Sequence, residues 1–176
     1  RHARWCLALT EEATHEMLGP KQRWWCERLE AEHANLRSAH TWLVEQGEHE
    51  QALRLSGSLL IFWFLRGYLR QGIAWLEDDL ARAEDAPAEL RCWGLFCVAL
   101  LTWSRGDFGR TRALAIEAIA LAQEHQLGFG EAIAHYALYL ATDMDGDPAD
   151  AIPIGEKTVE LLRAVDAEAW LAYALS

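Results

Sequence analysis

The sequence has few of the features that mark disulfide-rich, secreted or membrane-spanning proteins. Its four cysteines form no CxxC pair, and no signal peptide opens the chain. The longest apolar run, "LLIFWFL" at 59–65, has seven residues, against the ~20 that a membrane-spanning helix needs. We therefore expect a cytoplasmic protein with no membrane segment and with buried, reduced thiols. The cysteines are Cys6, Cys26, Cys92 and Cys97.

Positive charge is also scarce. The chain has 16 Lys and Arg residues against 27 Asp and Glu, which gives a formal net charge of −11. A surface of this sign is repelled by the phosphate backbone of nucleic acids. We therefore expect no direct nucleic-acid binding by this segment.

Motifs that mark catalytic or cofactor sites are missing as well. The sequence contains no GxxxxGK[ST], GxGxxG, HExxH or GxSxG. His2 and Cys6 have the spacing of one helix face, but two ligands do not complete a structural zinc site, which takes four. The sequence therefore favours a non-enzymatic role, with no cofactor and no metal.

What the sequence contains instead is a helical repeat. Stretches that begin at Gly67, Gly106 and Gly146 align, and these glycines are 39 and 40 residues apart. Five residues after each glycine comes a small side chain, and eight and thirteen residues after it come large apolar ones. These offsets lie on one helix face, where the small residue lets two helices approach closely. The small residues are Gly72, Thr111 and Ala151; the large ones are Trp75, Leu114, Ile154, Leu80, Ile119 and Val159.

A second amphipathic segment precedes each glycine, so each repeat predicts two helices joined by a short turn. We predict an all-α fold, a right-handed αα superhelix of about eight or nine antiparallel helices in a single domain over residues 1–176. The predicted hairpins cover 2–46, 48–85, 88–126 and 130–164, and an unpaired helix begins near 167. The chain starts without methionine and stops inside a helical pattern. We therefore expect a segment of a longer polypeptide, whose exposed end supports a homodimer.

The stretch "TDMDGDPADA" at 142–151 looks like the start of a calcium loop, because it has aspartates at alternate positions. An EF-hand loop needs glycine at its sixth position and glutamate at its twelfth. Counted from Asp143, those positions hold proline and isoleucine, so both requirements fail. Asp147 instead aligns with Asp107 of the preceding repeat. We interpret the stretch as a turn in which Asp147 caps the next helix.

The other polar clusters have ordinary interpretations. In "LEDDL", Asp78 lies four residues before Arg82, the spacing of a surface ion pair on a helix. His33 and His40 share a helix face, where we expect partly exposed side chains. The nine tryptophans exceed ordinary usage. In a helical array most of them pack in the core, and the others are free to line a binding surface.

Two stretches carry a resemblance to known families. "GDFGRT" at 106–111 resembles the tetratricopeptide-like repeat, although the usual period is ~34 residues. "LEAEHANLRSAHTWL" and "RGYLRQGIAWLEDDL", within 23–80, resemble the helical segment that follows the NTPase module in bacterial STAND-type regulators of the LuxR and SARP kinds. The resemblance implies a transcriptional regulator whose nucleotide switch and helix-turn-helix lie outside this chain. It weakens into generic repeats beyond about residue 88.

The resemblance to tetratricopeptide arrays implies that ligands contact the concave face of each hairpin's first helix. An aromatic groove there suits a peptide, a partner helix or a sugar-like ligand. The sequence leaves open whether its rings are exposed or pack on each other. Counting back from the three turn glycines gives the predicted groove: Arg54, Phe64, Trp93, Phe96, Trp103, Tyr136 and Asp143.

The run "EHANLR" lies where the array would meet the upstream NTPase module. We predict an interdomain contact through Glu32, Asn35 and Arg37; the alternative is that these residues are hydrogen-bonded surface or helix-packing groups. The sequence thus predicts a domain that binds a partner protein, peptide or small-molecule inducer and relays that state to the NTPase module. The competing interpretation is a non-switching scaffold for protein–protein interaction or self-association.

Overall fold

The computed structural model describes residues 1–146 and 148–175, without the side chains at positions 15, 145 and 148, and every regular element in this part of the chain is a helix. The all-α prediction is therefore confirmed. The helices are α1 (His2–Glu16), α2 (Gln22–Ala31), α3 (His33–Glu45), α4 (His49–Ser58), α5 (Leu60–Arg66), α6 (Leu69–Arg82), α7 (Ala88–Trp103), α8 (Phe108–Glu124), α9 (Gly128–Asp145), α10 (Pro148–Ala164) and α11 (Glu168–Ala174).

Eleven helices lie in the described residues, rather than the eight or nine predicted, because two expected helices are interrupted. Glu32 separates α2 from α3, and Leu59 separates α4 from α5. The backbone angles are φ −95° and ψ 1° at Glu32, and φ −94° and ψ 6° at Leu59. Both residues therefore sit in the bridge region, where the chain bends without forming a loop.

The chain divides into two compact units. In the N-terminal unit, residues 1–86, α4 packs against α1, α3 and α6, and α2 packs against α5. In the C-terminal unit, from Pro87 onward, α9 packs against α7, α8 and α10, and α11 packs against α10. Within this unit the hairpins α7–α8 and α9–α10 thus lie against each other. A single superhelical domain over the whole chain stays a prediction.

Small side chains set the distance between the helices of the C-terminal unit. Ala115, Ala118 and Ala122 on α8 are fully buried, as are Ala132 and several others on α9. The small residues predicted at the repeat's contact positions, Gly72, Thr111 and Ala151, are all buried, whereas the large residues that follow them are half-buried. The repeat alignment therefore predicted correctly that these three small residues are buried.

The turn glycines reverse the chain in two different ways. Gly67 and Gly106 have left-handed backbones, with φ of 74° and 80°, which glycine adopts without strain. Gly146 aligns with them but has φ −120° and ψ −176°, an extended conformation open to any residue. A Cβ at Gly146 would lie 2.6 Å from the carbonyl oxygen of Thr142. This position therefore needs glycine because of a close backbone contact.

The aspartate cap is confirmed for one of the two aligned repeats. The Asp107 side chain accepts a hydrogen bond from the backbone N–H of Arg110 at 3.2 Å, at the start of α8. Its counterpart Asp147 lies outside the described residues, so the second cap stays a prediction. The stretch at 142–151 does span the junction between α9 and α10, as the turn interpretation requires.

All four cysteines are free and buried, as predicted. Burial raises the pKa of the Cys92 thiol to about 11 and raises that of Cys97 well above its usual value. These two thiols therefore stay neutral and poorly nucleophilic near pH 7.

The apolar run at 59–65 is buried only in part. Phe62 and Trp63 are fully buried, while Phe64 and Leu65 are 43% and 44% exposed. Over the residues described here, no helix combines the length and the apolar character needed to cross a membrane.

Candidate binding surface

Three predicted groove residues of the C-terminal unit surround a tryptophan that the sequence analysis left unassigned. Phe96 on α7 is fully buried and Tyr136 on α9 is 8% exposed. The ring of Trp170 on α11 lies 5.2 Å from that of Phe96, measured between centroids. It lies 6.2 Å from both Trp93 and Tyr136. We call Trp93, Phe96 and Tyr136 the aromatic pocket.

Two of the three pocket rings meet the Trp170 ring edge to face, while the Tyr136 ring is tilted against it at 59°. The Trp170 ring makes angles of 85° with Phe96 and 72° with Trp93, the orientation that aromatic quadrupoles favour by about 0.5–1.5 kcal/mol per pair. Burial is also the main cause that raises the pKa of the Tyr136 phenol, with Tyr173 and Tyr139 adding to it. Of the two alternatives left open by the sequence, the rings of Phe96 and Tyr136 thus pack on other rings.

The pocket has an accessible margin at Trp93. This half-buried ring stacks on Phe129, at a centroid distance of 6.4 Å and an angle of 22°. Phe129 is 42% exposed. A cleft of about 270 Å³ opens here and is also lined by Glu89, Gln126 and Ile133. The cleft therefore leaves part of the Trp93 ring accessible from this side.

The other two groove residues of this unit lie elsewhere. Trp103 is ten residues from Trp93 on α7, about 15 Å along a helix, and its buried indole N–H has no partner in the described part of the chain. Asp143 is exposed and lines a separate cleft of about 670 Å³ together with Ile152 and Arg163. In this unit three of the predicted groove residues therefore form the aromatic pocket, and the other two, Trp103 and Asp143, lie away from it.

The groove residues of the N-terminal unit are both exposed. Nη2 of Arg54 donates to Oε1 of Glu50 at 2.9 Å, one turn away on α4. Phe64 on α5 is a large apolar side chain, and 43% of it is exposed to solvent. A ligand can therefore contact Phe64 without any change in the structure.

The residues predicted to contact an upstream module are tied to their own helices. Nδ2 of Asn35 donates to Oε2 of Glu32 at 2.6 Å, and Glu32 also lies 3.5 Å from Nη2 of Arg28. These contacts fit the alternative of hydrogen-bonded surface groups. Arg37 is exposed and lines a shallow cleft with Trp42, itself 47% exposed. Of the three residues, Arg37 is thus the one whose side chain is most accessible to another module.

A buried polar network in the N-terminal unit went unrecognised in the sequence. Nε2 of His40 donates to both carboxylate oxygens of Asp79 at 3.0 Å, and Oγ of Ser56 donates to Oδ2 of Asp79 at 2.6 Å. Asp79 and Ser56 are fully buried and His40 is 6% exposed. The Trp75 ring stacks on His40 at 3.9 Å and 3°. The expectation of a partly exposed His40 is therefore wrong, because Asp79 supplies a hydrogen-bond partner inside the core.

Helical spacing could have located the buried aspartate. Gly72, Leu76, Asp79 and Ala83 follow one another at intervals of four, three and four residues, and all four are buried. Asp78, by contrast, forms the expected surface pair, since Arg82 Nε lies 2.8 Å from its carboxylate. The hydroxyl of Ser56 donates to the carboxylate rather than to the imidazole, and the network is closed to solvent. Its arrangement suits a structural role joining α3, α4 and α6.

The predicted pair of His2 and Cys6 at the start of the chain does come together, but it has no third metal-ligating side chain beside it among the described residues. Sγ of Cys6 lies 3.7 Å from Nε2 of His2. Among the residues that the structure describes, no three His, Cys, Asp or Glu side chains come together in a group that could hold a metal ion.

The chain is similar to one segment of mycobacterial regulatory proteins. It is 31% identical over 145 residues to the protein named "Putative HTH-type transcriptional regulator" in Mycobacterium bovis, and equally to two proteins of that name from strains of Mycobacterium tuberculosis. The match covers 79% of this chain but 16% of each relative, so the chain spans about a sixth of their length. No protein-family model matches the chain.

Proposed function

We propose that this chain is the signal-sensing and interaction segment of a longer bacterial transcriptional regulator. The observation that carries the proposal is the 31% identity over 145 residues to part of proteins named as HTH-type regulators. The net charge of −11 opposes contact with DNA. We therefore assign DNA binding to another part of the polypeptide and recognition of a partner protein, peptide or small-molecule inducer to this part.

In this proposal the hairpins belong to a tetratricopeptide-like array that works by shape complementarity rather than by catalysis. Ligand binding changes how the array packs against an upstream NTPase module, with the surface around Arg37 as the contact. Two features support the binding role: the 43% exposure of Phe64 and the open margin of the aromatic pocket at Trp93. Large exposed rings of this kind are common at protein interfaces.

A plain scaffold is the second candidate, and a specific observation favours it. Trp24, Trp42 and Trp5 in the N-terminal unit are 58%, 47% and 44% exposed. Tryptophan is enriched at protein–protein interfaces. In the scaffold interpretation these rings support self-association or partner binding without any relay.

A binding screen on the intact chain tests the sensing role. Sugars and helical peptides with aromatic anchors are first screened by thermal shift, and the affinity of each hit is then measured by calorimetry. We expect a hit whose affinity falls roughly tenfold or more, about 1.4 kcal/mol, in Phe64→Ala or Trp93→Ala. Trp24→Ala is the matched control, since it removes an exposed ring outside the predicted groove.

Two outcomes count against the proposal. An equal loss of affinity in Trp24→Ala shows that the groove assignment is wrong. If no compound binds while sedimentation shows a dimer, the scaffold replaces the sensor. Tight binding of the chain to duplex DNA at physiological salt would contradict both candidates.

A further inference from the structure

A stretch in the N-terminal unit differs in charge from the chain as a whole. Residues 51–76 contain three arginines and no aspartate or glutamate, which gives a formal charge of +3 in a chain whose net charge is −11. The stretch includes all of α5 and the first two turns of α6. An acidic protein therefore carries a locally basic segment here.

Two large apolar side chains of α5 are exposed within this stretch. Phe64 is 43% exposed, and its neighbour Leu65 is 44% exposed. Consecutive residues of a helix are turned by about 100°, so the two side chains cover adjacent but different directions. Small molecules bind concave sites that enclose them. A helix surface that presents both side chains therefore favours a polypeptide as the ligand.

Two arginines flank these apolar side chains, and they differ in their partners. Nε of Arg66 lies 3.3 Å from Oε2 of Glu30 on α2, and the hydroxyl of Tyr68 donates to Oε1 of the same carboxylate at 2.7 Å. Arg70, in the first turn of α6, is exposed, and no ion pair joins it to any described residue. A cation in the first turn of a helix is unfavourably placed in the helix dipole. A carboxylate from outside the chain would offset this at Arg70.

We propose that Phe64, Leu65, Arg66 and Arg70, which we call the α5 surface, bind an acidic segment of a partner protein that carries aspartate or glutamate beside a large apolar side chain. This inference rests on the proposed function and names the partner class for the site at Phe64. The apolar side chain of the segment covers Phe64 and Leu65. Its carboxylate pairs with Arg70, whose planar guanidinium can donate two parallel hydrogen bonds to it.

The distribution of charge favours a short acidic peptide over larger anionic partners. Salt screens charges beyond ~8 Å at physiological ionic strength, so a short peptide on the α5 surface responds mainly to the local charge of +3. A nucleic-acid duplex or an anionic membrane is larger and also meets the acidic remainder of the chain, which repels it. The partner is therefore a protein segment rather than a phosphate polymer or a lipid surface.

A library of random short peptides displayed on phage tests the ligand class on the intact chain. We expect the selected peptides to be enriched in Asp or Glu beside Phe, Trp or Leu, and to bind more weakly as salt is raised. Fluorescein-labelled copies of these peptides then give affinities by anisotropy. Arg70→Glu and Phe64→Ala should each weaken binding roughly tenfold or more. Both side chains are exposed, and circular dichroism checks that each variant is folded.

Arg105→Glu is the matched control for charge. Arg105 is also exposed, has no ion pair in the part of the chain that the structure describes, and lies in the C-terminal unit. Its reversal changes the net charge as much as Arg70→Glu does, but it should leave the affinity unchanged. A peptide whose acidic residues are exchanged for lysine should bind Arg70→Glu better than it binds the unmodified chain.

Several results overturn the inference. Selected peptides without acidic residues, or the absence of any selected peptide, show that the charge of the α5 surface does not direct binding. Equal weakening by Arg70→Glu and Arg105→Glu shows a general effect of net charge. Tighter binding of anionic phospholipid vesicles or single-stranded DNA, or a dimer that Phe64→Ala disrupts, assigns the surface to another occupant.

These results separate the inference from the proposed function. If a sugar or peptide binds beside Trp93 but no peptide binds at the α5 surface, the sensing role stands and the inference fails. If an acidic peptide binds the α5 surface but does not change DNA binding by the longer polypeptide, the surface stands and the relay fails.

Discussion

The two units of this chain are built from similar helices but hold them together by different means. In the N-terminal unit, His40, Ser56 and Asp79 form a buried hydrogen-bonded network that joins α3, α4 and α6. The C-terminal unit instead uses a layer of fully buried alanines on α8 and α9, with a hydroxyl pair, Thr102 and Thr111, 3.1 Å apart. The first arrangement fixes orientation through directional bonds, and the second fixes distance through side-chain size.

This difference determines which changes each unit tolerates. A directional network fails when one member is lost, since its partners remain buried without hydrogen bonds. A layer of small residues fails when one member grows, since the helices cannot move apart without losing packing elsewhere.

Loss of the network's central carboxylate should have the largest effect. Asp79→Ala leaves the His40 imidazole buried without its carboxylate and leaves the Ser56 hydroxyl with only the backbone carbonyl of Leu53, and we expect a loss of about 3–5 kcal/mol in the free energy of unfolding. Urea unfolding measures it, and hydrogen exchange should show lost protection in α3, α4 and α6. The adjacent exposed Asp78 is the control, since Asp78→Ala removes only its surface pair with Arg82, worth about 0.5 kcal/mol or less. Equal effects at the two positions would contradict the role of the network.

Enlargement of one glycine should disturb the C-terminal unit. A Cβ at Gly130 would lie 2.9 Å from Sγ of Cys92 and 3.3 Å from Cβ of Leu127. We expect Gly130→Ala to cost about 1–3 kcal/mol, measured by urea unfolding, with partial recovery when Cys92→Ala is added.

Gly109→Ala is the matched control, because nothing lies within 4 Å of its added Cβ. There the better helix propensity of alanine should stabilise the chain by up to about 1 kcal/mol. If both glycine variants shift stability in the same direction, close packing at Gly130 is not the cause.

Alkaline pH should weaken the fold through Cys92. Its pKa is raised from 9.0 to about 11 by burial, so the stabilisation is fully present below pH 9. It is lost as pH rises from 9 towards 11, because the thiol of the unfolded chain then ionises first. The loss should be roughly 1–2 kcal/mol, allowing for solvent screening.

The measurement compares the unmodified chain with Cys92→Ala at pH 8 and at pH 10.5, so that the other titrating groups cancel. The stability difference between the two proteins should shift in favour of the variant at the higher pH. A difference that does not change with pH would show that the thiol does not ionise on unfolding in this range.

The smallest effect should come from exchanging turn residues between the units. The turn after α8 contains Gln126, a left-handed residue with φ 56°, whereas the corresponding turn after α3 has Gly47 with φ 75°. Gln126→Gly should stabilise the chain by about 0.5–1 kcal/mol, since glycine adopts this conformation without strain. Thermal unfolding measures the change. Gly47→Gln should destabilise the chain. If it stabilises the chain instead, the left-handed backbone of the turn does not determine the stability change.

Particular residues show how far sequence reasoning could go. The offsets from the turn glycines located the buried small positions Gly72, Thr111 and Ala151, because helical period and side-chain size are local properties. The same reasoning missed the interruptions at Glu32, where no proline or glycine signals a bend, and at Leu59, where the Ser-Gly-Ser stretch at 56–58 offered such a signal. It also placed His40 near the surface, because a histidine is buried only when a partner such as Asp79 reaches it from another helix.

For the candidate binding surface, too, the sequence predicted some features and missed others. The resemblance to tetratricopeptide arrays placed Trp93, Phe96 and Tyr136 on one face, and in the structure all three contact the same ring, that of Trp170. The resemblance could not predict that Trp170 would fill the space between them, since that contact depends on where α11 turns back. Whether Phe64 and Arg37 bind anything stays a prediction.

By itself the sequence determined the helical class, the turns and the helix faces of this protein, because each follows from neighbours a few residues apart. Only the tertiary structure decided that the aromatic pocket already holds an indole and that a buried aspartate unites three helices. Both are contacts between residues distant in the chain, and their free energy depends on burial, which no local pattern specifies.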